Sequence, residues 1–283
     1  MPRIIVDSTC DMPKEWRESY GILTLPLVVE VEGREYLDGE DIQLGQLYGF
    51  MREGVYPKTS QVPVERMYKL FTRCLEAGED ILYLAFSAKL SGTYQIAELM
   101  LGELRPAFPE RKMAVVDSKA GSLGTGLMAR RAAELAKQGE DFNNILTALE
   151  HIIERVELIF TISSLKWLVK GGRIGKPAGY VGDVLDIKPL LDVEDGKMVV
   201  MGALRGRKKA LRLLADEVAK RAAAWPDQLI AIAHADDQET AELLEEAIRE
   251  RLPLARTLIC PIGCVLAAHL GIGGVGAMFF REE

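Results

Sequence analysis

A repeated strand-then-helix rhythm limits what this chain can fold into more than any other feature. "ILYLAF" (81–86) is an uninterrupted apolar run, and the helical pattern "TYQIAELMLGEL" follows it. "MAVVDS" repeats the strand signal, and "LGTGLMARRAAELAKQG" repeats the helix, closed by Gly139. Short apolar strands alternating with helices predict a parallel sheet covered on both faces. The opening "RIIV" supplies a further buried strand, and Asp7-Ser8-Thr9 behind it offers capping oxygens. "ILTLPLVVEV" is extended, with Pro26 at an edge or a bend. "QLGQLYGFMRE" and "VERMYKLFTRCLEAG" predict helices with "YPKTSQVP" as a loop between them, and "FNNILTALEHIIERV" predicts another helix.

After "ELIFTIS" the texture changes. Glycine becomes frequent, Asp195-Gly196 marks a turn, and two long helices alternate with "QLIAIAHA", "RTLICPI" and "VGAMFF" as strands. The expectation is an α/β protein of two domains, an N-terminal one over 1–157 built on a mainly parallel sheet flanked by helices, and a smaller C-terminal one over 158–283. With 283 residues, 48% of them hydrophobic, the chain has material for both cores. A net charge of -7 without a basic run argues against a nucleic-acid partner. No apolar stretch approaches the ~20 residues of a membrane helix, so no integral membrane segment is expected. The start "MPRIIVDSTCDMP" lacks the basic, apolar and small-residue series of a signal peptide, which leads us to expect a cytoplasmic protein.

Several motifs carry two readings. Thr59-Ser60 and Ser91-Gly92-Thr93 each precede a predicted helix. They are either helix caps or donors to an anion, since free helix N–H groups and hydroxyls serve both roles. Arg173 in "KGGRIGK" is either a solvated surface arginine or an anion clamp. His269, in the apolar "VLAAHLG", is either a satisfied core residue or a functional one. His151 is expected to be structural or at the surface, and His234 to cap its strand. Cys260, Cys264 and His269 raise a zinc site, but the ligand number and spacing fall short, so reduced buried thiols are expected and no metal. "GIGGVG" (271–276) fits a dinucleotide fingerprint only on paper, because "AMFFREE" after it leaves no room for the required unit. Its glycines are expected to let backbone approach closely near His269. "GGRIGKP" is too short for a P-loop and has Pro177 where Ser or Thr belongs.

Taken together, these segments resemble the DegV family of bacterial fatty-acid-binding proteins. The similarity runs through "IVDSTCDMP", "KTSQVP", "FSAKLSGTYQIA", "VVDSKAGSLGTGL", "LVKGGRIGKPAGYVGDVLDIKPLLDVEDGK" and "IGCVLAAHLGIGGVG", in that order. Two positions depart from it: Cys264 stands for the usual proline, and Val62 separates Gln61 from Pro63. The resemblance implies two α/β domains with a long-chain fatty acid between and within them, and no other cofactor. It places Thr59, Ser60, Ser91, Gly92 and His269 at the carboxylate and Arg173 toward the head group or a kinase. It also implies a partner, a separate fatty acid kinase related to dihydroxyacetone kinases that makes the acyl phosphate, with only transient membrane contact. On that reading the chain carries no catalytic residue of its own. The physical logic is direct: burying a tail contributes about 0.8 kcal/mol per methylene, while a buried carboxylate requires partners. The rival from a different class is an acyl-ester hydrolase with Ser91 as nucleophile and His269 as base. Against it, Ser91 lies in no G-x-S-x-G elbow and no acid is evident to orient His269. A ligand-sensing regulator ranks last, for want of a DNA-reading helix.

Overall fold

The computed structural model describes residues 2–175 and 187–282. The first half runs β1 (Arg3–Asp7), α1 (Lys14–Tyr20), β2 (Leu23–Leu25), β3 (Val28–Val31), β4 (Arg34–Leu37), α2 (Leu44–Arg52), β5 (Lys58–Ser60), α3 (Val64–Glu76), β6 (Ile81–Ala85), α4 (Thr93–Leu104), β7 (Met113–Asp117), α5 (Ser122–Lys137) and α6 (Phe142–Ile153). The second runs β8 (Val156–Thr161), α7 (Lys166–Lys170), β9 (Ile187–Glu194), β10 (Lys197–Arg205), α8 (Arg207–Arg221), β11 (Leu229–His234), α9 (Gln238–Arg251), β12 (Arg256–Pro261), α10 (Cys264–Leu270) and β13 (Val275–Phe280). Much of the glycine-rich motif, "KPAGYVGDVLD" (176–186), lies outside the described residues.

The first sheet is the expected parallel one, four strands in the order β2-β1-β6-β7. All five residues of β6 are buried, which is what an apolar run without alternation requires. Pro26 acts as a bend. β2 ends at Leu25 beside β1, and β3 leaves for a separate three-stranded sheet in the order β4-β3-β5. The expected loop around Thr59 is in part a strand, because Thr59 and Ser60 pair with Val29 and Val28 of β3. Three polar residues carry no alternation of their own, and the ladder to β3 defines them. Asp141 caps α6 by accepting from the N–H groups of Asn143 and Asn144, at 2.8 and 3.0 Å.

The second sheet has six strands in the order β10-β9-β8-β13-β11-β12, and only β11–β12 is parallel. The expected division at 157/158 falls inside β8, whose strand neighbours are β13 and β9. One core links the halves: Ile5, Val6 and Leu84 belong to the same buried cluster as Ala233, Ile262, Val265 and Met278. A second core lies between the six-stranded sheet and α8 and α9, around Leu214, Ile232, Leu244 and Phe279.

Candidate functional site

The site forms where α10, β5, the start of α4 and the end of α7 meet. α10 is a seven-residue helix of which all but Leu270 is buried. It holds His269 in its last turn, and the His269 Nε2 stands 2.7 Å from the Thr59 hydroxyl on β5. The other ring nitrogen, Nδ1, is buried and has no hydrogen-bond partner among the described residues. Burial first, then the charge of Arg173, pushes the His269 pKa down to about 4, so the imidazole is neutral near pH 7. A neutral ring both donates and accepts, and its single bond to Thr59 leaves one of those capacities unused.

Arg173 departs from the surface reading. Its guanidinium is half-buried, donating from Nε to the Leu90 carbonyl at 3.2 Å and from Nη1 to the Gly171 carbonyl at 2.8 Å. Among the described residues no acid pairs with it, and burial lowers its pKa. A guanidinium held by two carbonyls keeps further N–H donors for an incoming anion.

Ser91 combines its two readings. Its Oγ accepts from the Thr93 N–H at 3.3 Å and lies 2.9 Å from the Thr93 hydroxyl, so it helps to satisfy the first turn of α4. It also lines one cavity together with Thr59, Ser60, Arg173 and His269. Thr59 is no cap, because α3 begins after Pro63 with no side-chain cap. Gly92, at the N-cap of α4, stands outside the lining. An added Cβ there would lie 3.1 Å from Gln61 Oε1, the end of an exposed flexible side chain.

The polar cavity adjoins an apolar one of about 50 Å³, enclosed by the six-stranded sheet, α10 and the start of α5. Phe86, Leu90, Met198, Leu266 and Leu270 line both. Deeper in, Leu158, Phe160, Val193 and Met278 complete the wall. Nothing in the sequence marks Met198 or Phe86 as site residues, since an apolar side chain toward a cavity looks like any core residue. The glycines did leave a sign. Gly271, at φ +76°, passes so close to Trp167 that a side chain would collide with the indole, and Gly276 packs against the backbone of Phe160. Close approach near His269 is therefore what the "GIGGVG" run provides.

The remaining candidates separate cleanly. His151 is exposed on α6, and His234 is buried, accepting from the Asp237 N–H at Nδ1, 3.2 Å away. All four cysteines are buried free thiols, with Cys260 pushed up to about 11 by burial. Among the described residues no group of three or more His, Cys, Asp or Glu is placed to hold a metal ion. The hydrolase alternative finds no support. His269 Nε2 is bonded to Thr59, Ser91 to Thr93, and among the described residues no carboxylate contacts His269 Nδ1.

This geometry defines an α/β protein of three sheets with a half-buried polar cluster beside an apolar cavity. Residues 2–282 match the family model described as "Uncharacterised protein, DegV family". A DegV domain-containing protein of Clostridium perfringens is 38% identical over 282 residues, which cover 99% of this chain and 97% of that protein. A DegV family protein from Thermus thermophilus, described for its fatty acid binding, superposes with a TM-score of 0.87 at 33% identity over 98% of both chains. A fatty acid (stearic acid)-binding protein from Eubacterium ventriosum superposes with a TM-score of 0.90 at 26% identity over 100% of this chain and 99% of its own. The chain belongs to the DegV family. No helix among the described residues is long and apolar enough to cross a membrane.

Proposed function

We propose that this protein is a cytoplasmic carrier of a long-chain fatty acid, with the carboxylate at Thr59, Ser60, Ser91 and His269 and the acyl chain between the two halves of the molecule. The observation that carries this reading is that a polar cavity, whose arginine has no acidic partner among the described residues, shares its walls with an apolar cavity. Hydroxyls and a neutral imidazole offer hydrogen bonds to a carboxylate, and Arg173 offers charge. The apolar cavity is smaller than a long acyl chain, so uptake moves Phe86, Met198 and Leu270 apart.

On the same reading the carrier presents the carboxylate to a separate kinase related to dihydroxyacetone kinases, which forms the acyl phosphate; the chemistry is the kinase's. The half-buried Arg173 beside the carboxylate site supports a role at the head group. Native mass spectrometry of protein expressed in bacteria, then denaturation and lipid extraction, tests the carrier. A co-purifying long-chain acid at near one per chain is expected. Absence of lipid together with no uptake of added fatty acid would overturn it. Acyl phosphate formation with the cognate kinase and ATP tests presentation separately.

A further inference from the structure

We infer that Asp11 and Asp38 are positioning residues for the head-group site: two carboxylates of the first half that grip the first turn of α10 and so fix where His269, at the other end of that helix, meets Thr59. The inference rests on the carrier reading for its functional meaning.

α10 has no side-chain cap of its own. Its first N–H groups need acceptors, as at any helix start. Both acceptors come from distant parts of the chain. Asp11 Oδ1 accepts from the Gly263 N–H at 2.7 Å, and Asp38 Oδ1 accepts from the Cys264 N–H at 3.1 Å. Asp38 is only 6% exposed, and among the described residues neither acid forms an ion pair. Hydrogen bonds engage both oxygens of Asp11, and among the described residues Asp38 is held through Oδ1 while its buried Oδ2 has no partner.

Two further features show that this geometry is built. A Cβ on Gly263 would stand 2.9 Å from Asp11 Oδ1 and 3.3 Å from Asp38 Oδ2, so both acids converge on a peptide that has room for them only as glycine. Asp11 is also held from behind, where Ser122 Oγ donates to its Oδ2 at 2.6 Å. Asp11 and Ser122 both adopt left-handed backbone conformations, at φ 49° and 50°. Such conformations persist in non-glycine residues where the surroundings impose them. Ser122 also lines the apolar cavity, so one short chain of hydrogen bonds joins the cavity wall to the start of α10.

α10 is rigid and short, so a shift of its first turn carries His269 with it. Loss of either carboxylate is expected to loosen the Thr59–His269 contact without touching the ligand. The test combines two measurements on Asp38→Ala and Asp11→Ala, with Asp38→Asn as the conservative variant that keeps one acceptor oxygen. The first is the 15N spectrum of histidine-labelled protein before any fatty acid is added, with His269→Ala assigning the His269 signals among three histidines. A displaced His269 signal in the alanine variants, restored toward wild type in Asp38→Asn, is expected.

The second measurement is oleate titration in a double-mutant cycle. Asp38→Ala is expected to weaken oleate binding about tenfold on the wild-type background and by less than about twofold on the His269→Ala background. Equal losses on both backgrounds, or His269 signals unmoved in folded variants, would overturn the inference. Should the Asp38→Ala chain fail to fold, Asp11→Ala carries the same two readouts. Failure of wild type to bind oleate would sink the carrier reading, and the spectra of the ligand-free protein would still decide the clamp.

Discussion

Gly171 makes its contribution to the proposed head-group site by having no side chain. Its Cα lies so close to His269 that an added Cβ would collide with Nδ1. Gly171→Ala should therefore push the imidazole off Thr59 and weaken fatty-acid binding at least about tenfold, because a hydrogen bond to a charged group is worth about 1.5–3 kcal/mol. A circular-dichroism melt alongside the titration would check that the fold survives. Thr59→Ala should weaken binding with little change in melting, since Thr59 caps no helix. Ser91→Ala should do both, adding a capping loss of about 1 kcal/mol. Normal binding in the two hydroxyl variants would remove them from the site.

His269 also makes stability depend on pH. The unfolded ring takes up its proton near 6.5, and the folded ring only near 4. Between those values the unfolded chain binds more protons, so stability is lost as pH falls from 6.5 toward 4, by up to about 3 kcal/mol. Buried Asp7, Asp11 and Asp38 have raised values and pull the other way over the acid range. They titrate in wild type and in His269→Gln alike, so the difference between the two urea midpoints, followed from pH 7 to 4.5, isolates the histidine. That difference should shift toward the glutamine variant as pH falls.

At the scale of elements, the β9–β10 hairpin is the part of the cavity wall most open to change. It pairs with itself along its length, but β9 meets β8 at only three positions, Asp192, Leu191 and Leu190. Arg221 of α8 pairs with Asp192, Thr161 donates to the Pro189 carbonyl, and the tip supplies a further attachment. Asp195 and Gly196 both have positive φ, the backbone of a tight two-residue turn. The tip docks on the first half, where Ser87 Oγ donates to the Gly196 carbonyl at 2.7 Å and Lys119 pairs with Asp195 at 3.1 Å. A Cβ on Gly196 would stand 2.5 Å from Ser87 Oγ. Gly196→Ala should thus undock the tip and cost about 1–2 kcal/mol locally, from the left-handed backbone and the lost hydrogen bond. Val193 and Met198 line the cavity from this hairpin. Faster hydrogen exchange over 187–205 and faster fatty-acid release are the expected readouts, and exchange unchanged from wild type would rule the latch out.

Over the whole molecule, a shared core ties the two sheets together even though each draws its strands from one part of the chain. Ala231, Ala233, Ile262 and Val265 pack in the same cluster as the strands of the first sheet. Unfolding should then be a single event, with Trp16 in the first half and Trp225 in the second reporting one urea midpoint when each is the sole tryptophan. A bound fatty acid, spanning the junction, should raise that midpoint for both reporters together. At a free ligand concentration a hundred times Kd the gain is about 2.7 kcal/mol. Two separated midpoints would show that the halves fold alone.

The sequence by itself determined the α/β class, the strands of the parallel sheet, seven of the helices and the polar residues gathered at the cavity mouth, but not the short helices α1, α7 and α10 or the two longest strands, β9 and β10. Periodic apolar faces and terminal glycines are local signals, and Gly78 and Gly139 adopt the positive φ expected of residues that end helices. The family motifs supplied Thr59, Ser91, Arg173 and His269 as a group. Other features became visible only in three dimensions. β5 is a strand because β3 runs beside it. Arg173 is half-buried because Leu90 and Gly171 turn their carbonyls toward it. Among the described residues His269 has one partner and one bare nitrogen, against which Gly171, at the end of α7, packs closely. Asp11 and Asp38 look like turn residues in the sequence, 252 and 226 positions away from the N–H groups they accept. Contacts over such separations have no local pattern to announce them, since what selects each residue is a neighbour that only the folded chain brings near.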